Sequence, residues 1–289
     1  MRSDPKMLRA FSMHDRAAGG NQYVYPVISR RSKGLSIGVN LNPDKVCNFG
    51  CLYCSVNRTV AGGPRPVDQT VLRREVALVL RQAMSGEIYR WGPFAGIDPE
   101  YQRLNDIAFS GDGEPTTRPD FGQCCRIVAE ELESAGLSTV KVVLITNATM
   151  LSRQHVRDAL AFLDRHNGEI WAKLDAGTDE HYAAVNRTVI PFSRVLANLA
   201  WCTRIRPTVI QTMLLRVRNQ PPSPAQVQAY TERLQALRRA GGMIRLVQLY
   251  TVARNTAERY VTALPADELA AIARHVALAI PGIKVEAFA

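Results

Sequence analysis

A repeated exchange of two patterns constrains this chain most. Short, almost continuous apolar runs, "DIAFSG" (106–111), "VKVVLIT" (140–146), "EIWAKLDA" (169–176), "TVIQTMLL" (208–215) and "IRLVQLY" (244–250), take turns with longer stretches of helical apolar period. Runs of that kind read as strands buried on both faces, the situation in a parallel sheet covered by helices. The stretches between them read as those helices: "TVLRREVALVLRQAM" (70–84), "DFGQCCRIVAEELESAG" ending at Gly136, "SRQHVRDALAFLDRH" with Ser152 to cap it, "FSRVLANLAWCTRI", "SPAQVQAYTERLQALRRAGG" and "ADELAAIARHVALAI". With "LSIGVNL" (35–41) as first strand there are six strand–helix units, two fewer than a closed eight-fold barrel needs. The expected fold is α/β: a partial (β/α)6 open TIM-like barrel over residues 35–289, parallel strands inside and helices outside, after an aperiodic arm at 1–34. "IKVEAF" offers a last short strand, and no Pro/Gly/Ser-rich linker divides the chain.

No window approaches the eighteen or so uninterrupted apolar residues of a membrane span, and the first twenty residues hold no continuous apolar h-region. The expected location is the cytoplasm, with no membrane partner. In that reducing compartment clustered cysteines bind metal or do chemistry more often than they form disulfides. Three of the six cysteines fall within eight residues of "NLNPDKVCNFGCLYCSVNR", as Cys47, Cys51 and Cys54 in C-x3-C-x2-C spacing.

Three thiolates on one short loop hold three corners of a metal centre. Structural zinc asks for four protein ligands. No histidine follows the loop closely, and Cys124, Cys125 and Cys202 lie in predicted helices, although a distant ligand that folds back would still complete a zinc site. An open iron–sulfur cluster is the other solution. The formal net charge of +10 favours an anionic partner, while basic residues spread along helices also read as solvated faces. A non-catalytic zinc or iron–sulfur nucleic-acid-binding protein is therefore the alternative to an enzyme.

C-x3-C-x2-C with Tyr53 just before the third cysteine, at the end of a first strand, resembles the signature of the radical S-adenosylmethionine (radical SAM) enzymes. Further segments match in order. "SGDGEPT" (110–116) is similar to the family's Gly-Gly-Glu-Pro motif, with Asp112 where the commonest form has glycine. "ITNAT" resembles its Thr-Asn-Gly strand ending, "AKLDAG" places Lys173 and Asp175 two apart on one strand face, and "VQLYTVAR" carries Gln248 and Tyr250 on one face. Together they look most like the iron–sulfur oxidoreductase branch that includes the wyosine-type tRNA-modifying enzymes. Those hold a second cluster on upstream cysteines, and this chain has no cysteine before Cys47.

The resemblance implies a [4Fe-4S] cluster on Cys47, Cys51 and Cys54, its fourth iron chelated by S-adenosylmethionine. It implies cofactor contacts from Tyr53, Gly111, Asp112, Gly113, Glu114, Pro115, Asn147, Lys173, Asp175, Gln248 and Tyr250, with Lys173 and Asp175 also the candidate catalytic residues. An electron from a donor such as flavodoxin or ferredoxin would split S-adenosylmethionine into methionine and a 5′-deoxyadenosyl radical, which abstracts hydrogen from a substrate that tRNA, a peptide or a small metabolite would each satisfy. Read as residues alone, Lys173 and Asp175 equally suit a structural ion pair. Cys124 and Cys125 point about 100° apart on a helix and read as core. His181 and the arginines near the loops, Arg58, Arg65 and Arg187, are the further candidates for substrate contact.

Overall fold

The computed structural model describes residues 10–11, 15–16, 18–63, 66–90, 92–254, 256 and 258–289; Arg65 and much of the expected arm lie outside them. The chain divides into two compact units. The first comprises Met1–Val46, Val60–Leu144 and Gln154–Glu169, the second Cys47–Thr59, Ile145–Arg153 and Ile170–Ala289.

In the first unit β1 (Val24–Ser29) runs antiparallel to β2 (Gly34–Val39). Helix α1 (Gln69–Met84) follows, then β3 (Leu104–Phe109), α2 (Phe121–Ser134), β4 (Lys141–Thr146) and α3 (Gln154–Leu163). Strands β2, β3 and β4 are parallel neighbours. The sequence places β1 inside an aperiodic arm; the structure makes it a strand. Its burial does not alternate and Pro26 sits mid-strand, so neither usual signal is present. What holds its start is a carboxylate. Glu75, buried on α1, accepts the main-chain N–H groups of Gln22, Tyr23 and Val24 at 2.8, 2.8 and 3.1 Å.

Strand β5 (Gly168–Lys173) leads into the second unit, followed by α4 (Asp179–Asn186), α5 (Phe192–Ile205), β6 (Thr208–Met213) and β7 (Leu215–Val217). Then come α6 (Pro224–Arg239), β8 (Ile244–Tyr250), β9 (Val261–Ala263), α7 (Ala266–Ala279) and β10 (Lys284–Phe288). Strands β5, β6, β8 and β10 are parallel, with Lys173, Gln211, Gln248 and Glu286 in one register row. The strand order is β1-β2-β3-β4 in the first unit and β5-β6-β8-β10 in the second. This is the expected α/β alternation, six helix-separated strands plus the terminal strand at "KVEAF".

The single strand expected at 208–215 breaks at Leu214, because Leu215–Val217 turns away to pair antiparallel with β9. Helix α4 was not anticipated. Among the described residues no helix is long and apolar enough to cross a membrane.

Candidate active site at the cysteine loop

Within the second unit the cysteine loop is tied down by short polar contacts on two sides. The end of α4 receives it: Gly50 N–H donates to the carbonyls of Asn186 (3.1 Å) and Arg187 (3.2 Å), and Leu52 N–H to that of Val185 (3.0 Å). Thr188 returns a hydroxyl to the Asn48 carbonyl at 2.9 Å. On the other side Asn147 Nδ2 donates to Asn48 Oδ1, and Asn48 Nδ2 to Thr149 Oγ1, both at 2.7 Å. Asn147, expected as a cofactor contact, positions the loop.

A buried polar cluster lies beneath. Asp175 is 5% exposed and accepts four hydrogen bonds. Its Oδ1 takes Met213 N–H at 2.9 Å and Lys173 Nζ at 3.1 Å; its Oδ2 takes Tyr53 OH at 2.5 Å and Asn186 Nδ2 at 3.2 Å. All four partners are protein groups, so Asp175 acts as an anchor for the loop and the strand. Strand β5 ends at Lys173, but Leu174 N–H still reaches Gln211 O at 3.0 Å and carries Asp175 into place. The ion pair that the residues alone suggested is thus formed.

Lys173 Nζ also donates to Tyr250 OH at 2.5 Å and lies 4.8 Å from the ring centres of both Tyr53 and Tyr250. Burial by itself lowers an ammonium's pKa, but Asp175 and Tyr250 outweigh it and raise this one, so Lys173 stays charged. Burial, then the neighbouring Asp175 carboxylate, pushes the Tyr53 phenol well above its ordinary value; Tyr53 stays a donor. An ammonium has three N–H bonds and two are used here. Among the described residues the third has no acceptor.

Asn186, 2% exposed, joins this cluster to a cysteine: its Nδ2 donates to Asp175 and also to Cys51 Sγ at 3.6 Å. Arg58 likewise reaches Cys54 Sγ at 3.6 Å. Burial chiefly, with Asp175 adding, pushes the Cys51 thiol up to about 12. Such a thiol is inert until a metal deprotonates it, as coordination does outright. None of the six cysteines is in a disulfide. Among the described residues no three His, Cys, Asp or Glu side chains gather as ligands for one ion. Thiolates of a multi-iron cluster each bind a different iron and need not converge on one point. The donor set, three thiols with N–H donors aimed at two of them, fits a cluster.

Gln248 lies beside Gln211, whose Nε2 donates to it at 2.7 Å; Gln211 Oε1 is buried with no partner among the described residues. That is an acceptor awaiting a donor.

The Ser110–Thr116 loop belongs to the first unit. Gly111 and Gly113 are required by close approach: a Cβ would come 2.3 Å from Asn40 Oδ1 at the first and 2.2 Å from the Val46 carbonyl at the second. Asp112 accepts Asn40 Nδ2 at 2.8 Å and Arg16 Nε at 3.3 Å, which explains an acid where the common motif has glycine. Glu114 is 3% exposed and caps the turn that begins at Pro115, through Thr116 N–H at 3.2 Å and Thr116 OH at 2.5 Å.

A model described as the radical SAM superfamily matches residues 41–220, more than half of the chain. The chain belongs to the radical SAM superfamily. Membership implies an iron–sulfur cluster, S-adenosylmethionine and a reductant. It is 26% identical over 170 residues to the "UPF0026 protein MJ1312" of Methanocaldococcus jannaschii, a match covering 56% of this chain and 43% of that protein. The chain thus matches less than half the length of that relative.

Two solved structures share the fold. A radical SAM methyltransferase from Sphaerobacter thermophilus superposes with a TM-score of 0.63 at 13% identity, covering 92% of this chain and 68% of that one. TYW1 with a lysine-pyruvate adduct bound superposes with a TM-score of 0.56 at 15% identity, covering 94% and 80%. The partial TIM-like barrel expected from the strand count is therefore the fold of this radical SAM enzyme.

Sequence reasoning missed Asn48 and Asn186, which hold the loop and Cys51. The helix that delivers Asn186 had a legible start: Thr178 followed by Asp179 and Glu180, with Thr178 Oγ1 accepting His181 N–H at 3.2 Å.

Proposed function

We propose that Cys47, Cys51 and Cys54 hold a [4Fe-4S] cluster with one iron left to S-adenosylmethionine, and that the enzyme abstracts hydrogen from an anionic substrate. When bound, the cluster supplies one electron that splits S-adenosylmethionine into methionine and a 5′-deoxyadenosyl radical. The protein's part is positional and electrostatic. Lys173, charged and with one N–H to spare, takes the carboxylate of S-adenosylmethionine. Asp175 fixes that ammonium and the Tyr53 hydroxyl. Gly111, Asp112, Gly113, Glu114 and Pro115 form the loop for its amino group, and Asn147, Gln248 and Tyr250 serve the nucleoside.

The observation that carries this reading is the hydrogen-bonded path Lys173–Asp175–Asn186–Cys51, which links the expected cofactor-anchoring cation to a cluster cysteine through buried groups. The superfamily assignment disfavours a non-catalytic nucleic-acid-binding protein. Net charge of +10 supports an anionic substrate; TYW1 binds a lysine-pyruvate adduct, and a small carbonyl compound joins tRNA and peptide among the classes to test.

The test is anaerobic purification, iron and sulfide analysis, and an electron paramagnetic resonance spectrum of the reduced protein with and without S-adenosylmethionine. A four-iron signal that changes on adding it is the expected result. Zinc in place of iron, or a spectrum indifferent to S-adenosylmethionine, would overturn the reading.

A further inference from the structure

Beside the cysteine loop, and wholly within the second unit, lies a pocket of about 400 Å3 that none of the expected cluster ligands or cofactor contacts lines. That volume is in the range of small-molecule sites. Leu52, between Cys51 and Cys54, forms part of its wall, and Val185, Met213, Leu215, Val217 and Pro222 make it largely apolar.

The polar groups are few and differ in state. Arg187 is engaged, by Glu258 and by Tyr260 OH, both at 2.5 Å. Arg218 is not: its guanidinium lies 5.7 Å from the Tyr260 ring centre, with no carboxylate partner among the described residues. His181 Nδ1 is buried without a partner among the described residues, a polar atom for which a ligand would account.

Arg218 is also held in an unusual backbone. It and Asn219 both have positive φ, 50° and 65°, in the two-residue turn closed by the Val217–Gln220 bridge. Glycine and asparagine are the residues that fill such turns; arginine there is strained, and strain of this kind is kept where a side chain must be aimed.

We propose that this pocket is the substrate site and that it takes a small molecule with an apolar body and one anionic group, bound by Arg218. The assignment rests on the radical SAM reading, which puts the reactive centre on the loop that Leu52 belongs to. Carboxylate and phosphate share the required chemistry.

The test titrates 2-naphthoate, 2-naphthyl phosphate and neutral 2-naphthol into the full-length protein, with and without its cluster, by calorimetry. At least one anion should bind about tenfold or more tighter than naphthol, and Arg218→Gln, an exposed position, should erase that preference while leaving naphthol unchanged. The tighter anion identifies the head group. Ala184→Trp, at an exposed position lining the pocket, should abolish binding of all three. Equal binding of the three probes, no effect of Arg218→Gln, or displacement of the probe by bulk tRNA would overturn the proposal. Failure here with a spectrum that still responds to S-adenosylmethionine sinks the pocket alone; naphthoate binding without that response leaves the pocket and sinks the reaction.

Discussion

Asp106 offers a test of how burial sets the cost of a charge on the strand that delivers the Ser110–Thr116 loop. It sits on β3, 2% exposed, with Ser36 Oγ of β2 donating to its Oδ1 at 2.5 Å. Burial raises its carboxyl from 3.8 to about 6, and the Ser36 hydroxyl only partly opposes this. A displacement of that size corresponds to about 3 kcal/mol of differential stability. The folded state holds the proton more tightly than the unfolded one. The contribution is therefore present in full below the unfolded value of 3.8 and lost as pH rises through about 6.

Asp106→Asn keeps an acceptor for Ser36 and removes the charge. The expected outcome is that the variant gains on the native protein by most of about 3 kcal/mol between about pH 4 and about pH 7.5, or on the order of 5 to 10 °C in midpoint. Thermal unfolding of both proteins in parallel buffers measures this, because all other titrations cancel in the difference. A difference that stays flat across that window would refute the reasoning.

Glu75→Ala strands the N–H groups of Gln22, Tyr23 and Val24 in a buried setting and should cost on the order of 3 to 5 kcal/mol, read as a lower unfolding midpoint; a loss under about 1 kcal/mol would mean that water replaces the carboxylate. Gly113→Ala meets the Val46 carbonyl and should abolish the spectral response to S-adenosylmethionine while iron content is kept; a normal response would remove this loop from cofactor binding. Asn186→Leu deletes the N–H to Cys51 Sγ and should move the cluster to a more negative potential in a redox titration; an unchanged potential would reduce Asn186 to a packing residue.

Strands and helices of regular period were legible because each is written locally. "IRLVQLY" became β8 at its expected residues, and Ser223 forms the capping box that starts α6. The cysteines, the Gly-Glu-Pro loop and the Lys/Asp strand stood out because they are fixed residue types at short spacing. The remainder depends on partners distant in sequence. Strand β1 is held by Glu75 more than forty residues away, and nothing near Val24 announces it. Asp175 is held by Met213, Tyr53 and Asn186, which come from three separate segments, and no spacing near it announces them. Asn186 itself has no spacing relation to Cys51, 135 residues before it.

The two hydrogens of that single amide carry a thermodynamic obligation. One is given to the carboxylate that holds Lys173, the other to the sulfur of Cys51. On the proposed assignment, an anion drawn to Lys173 would change the charge that Asp175 balances, and the amide would relay that change to the sulfur. Linkage is reciprocal, so whatever shift cofactor binding imposes on the ease of reduction, reduction must impose equally on cofactor affinity. On the proposed assignment, the free energy that couples S-adenosylmethionine binding to reduction is then one quantity viewed from two ends.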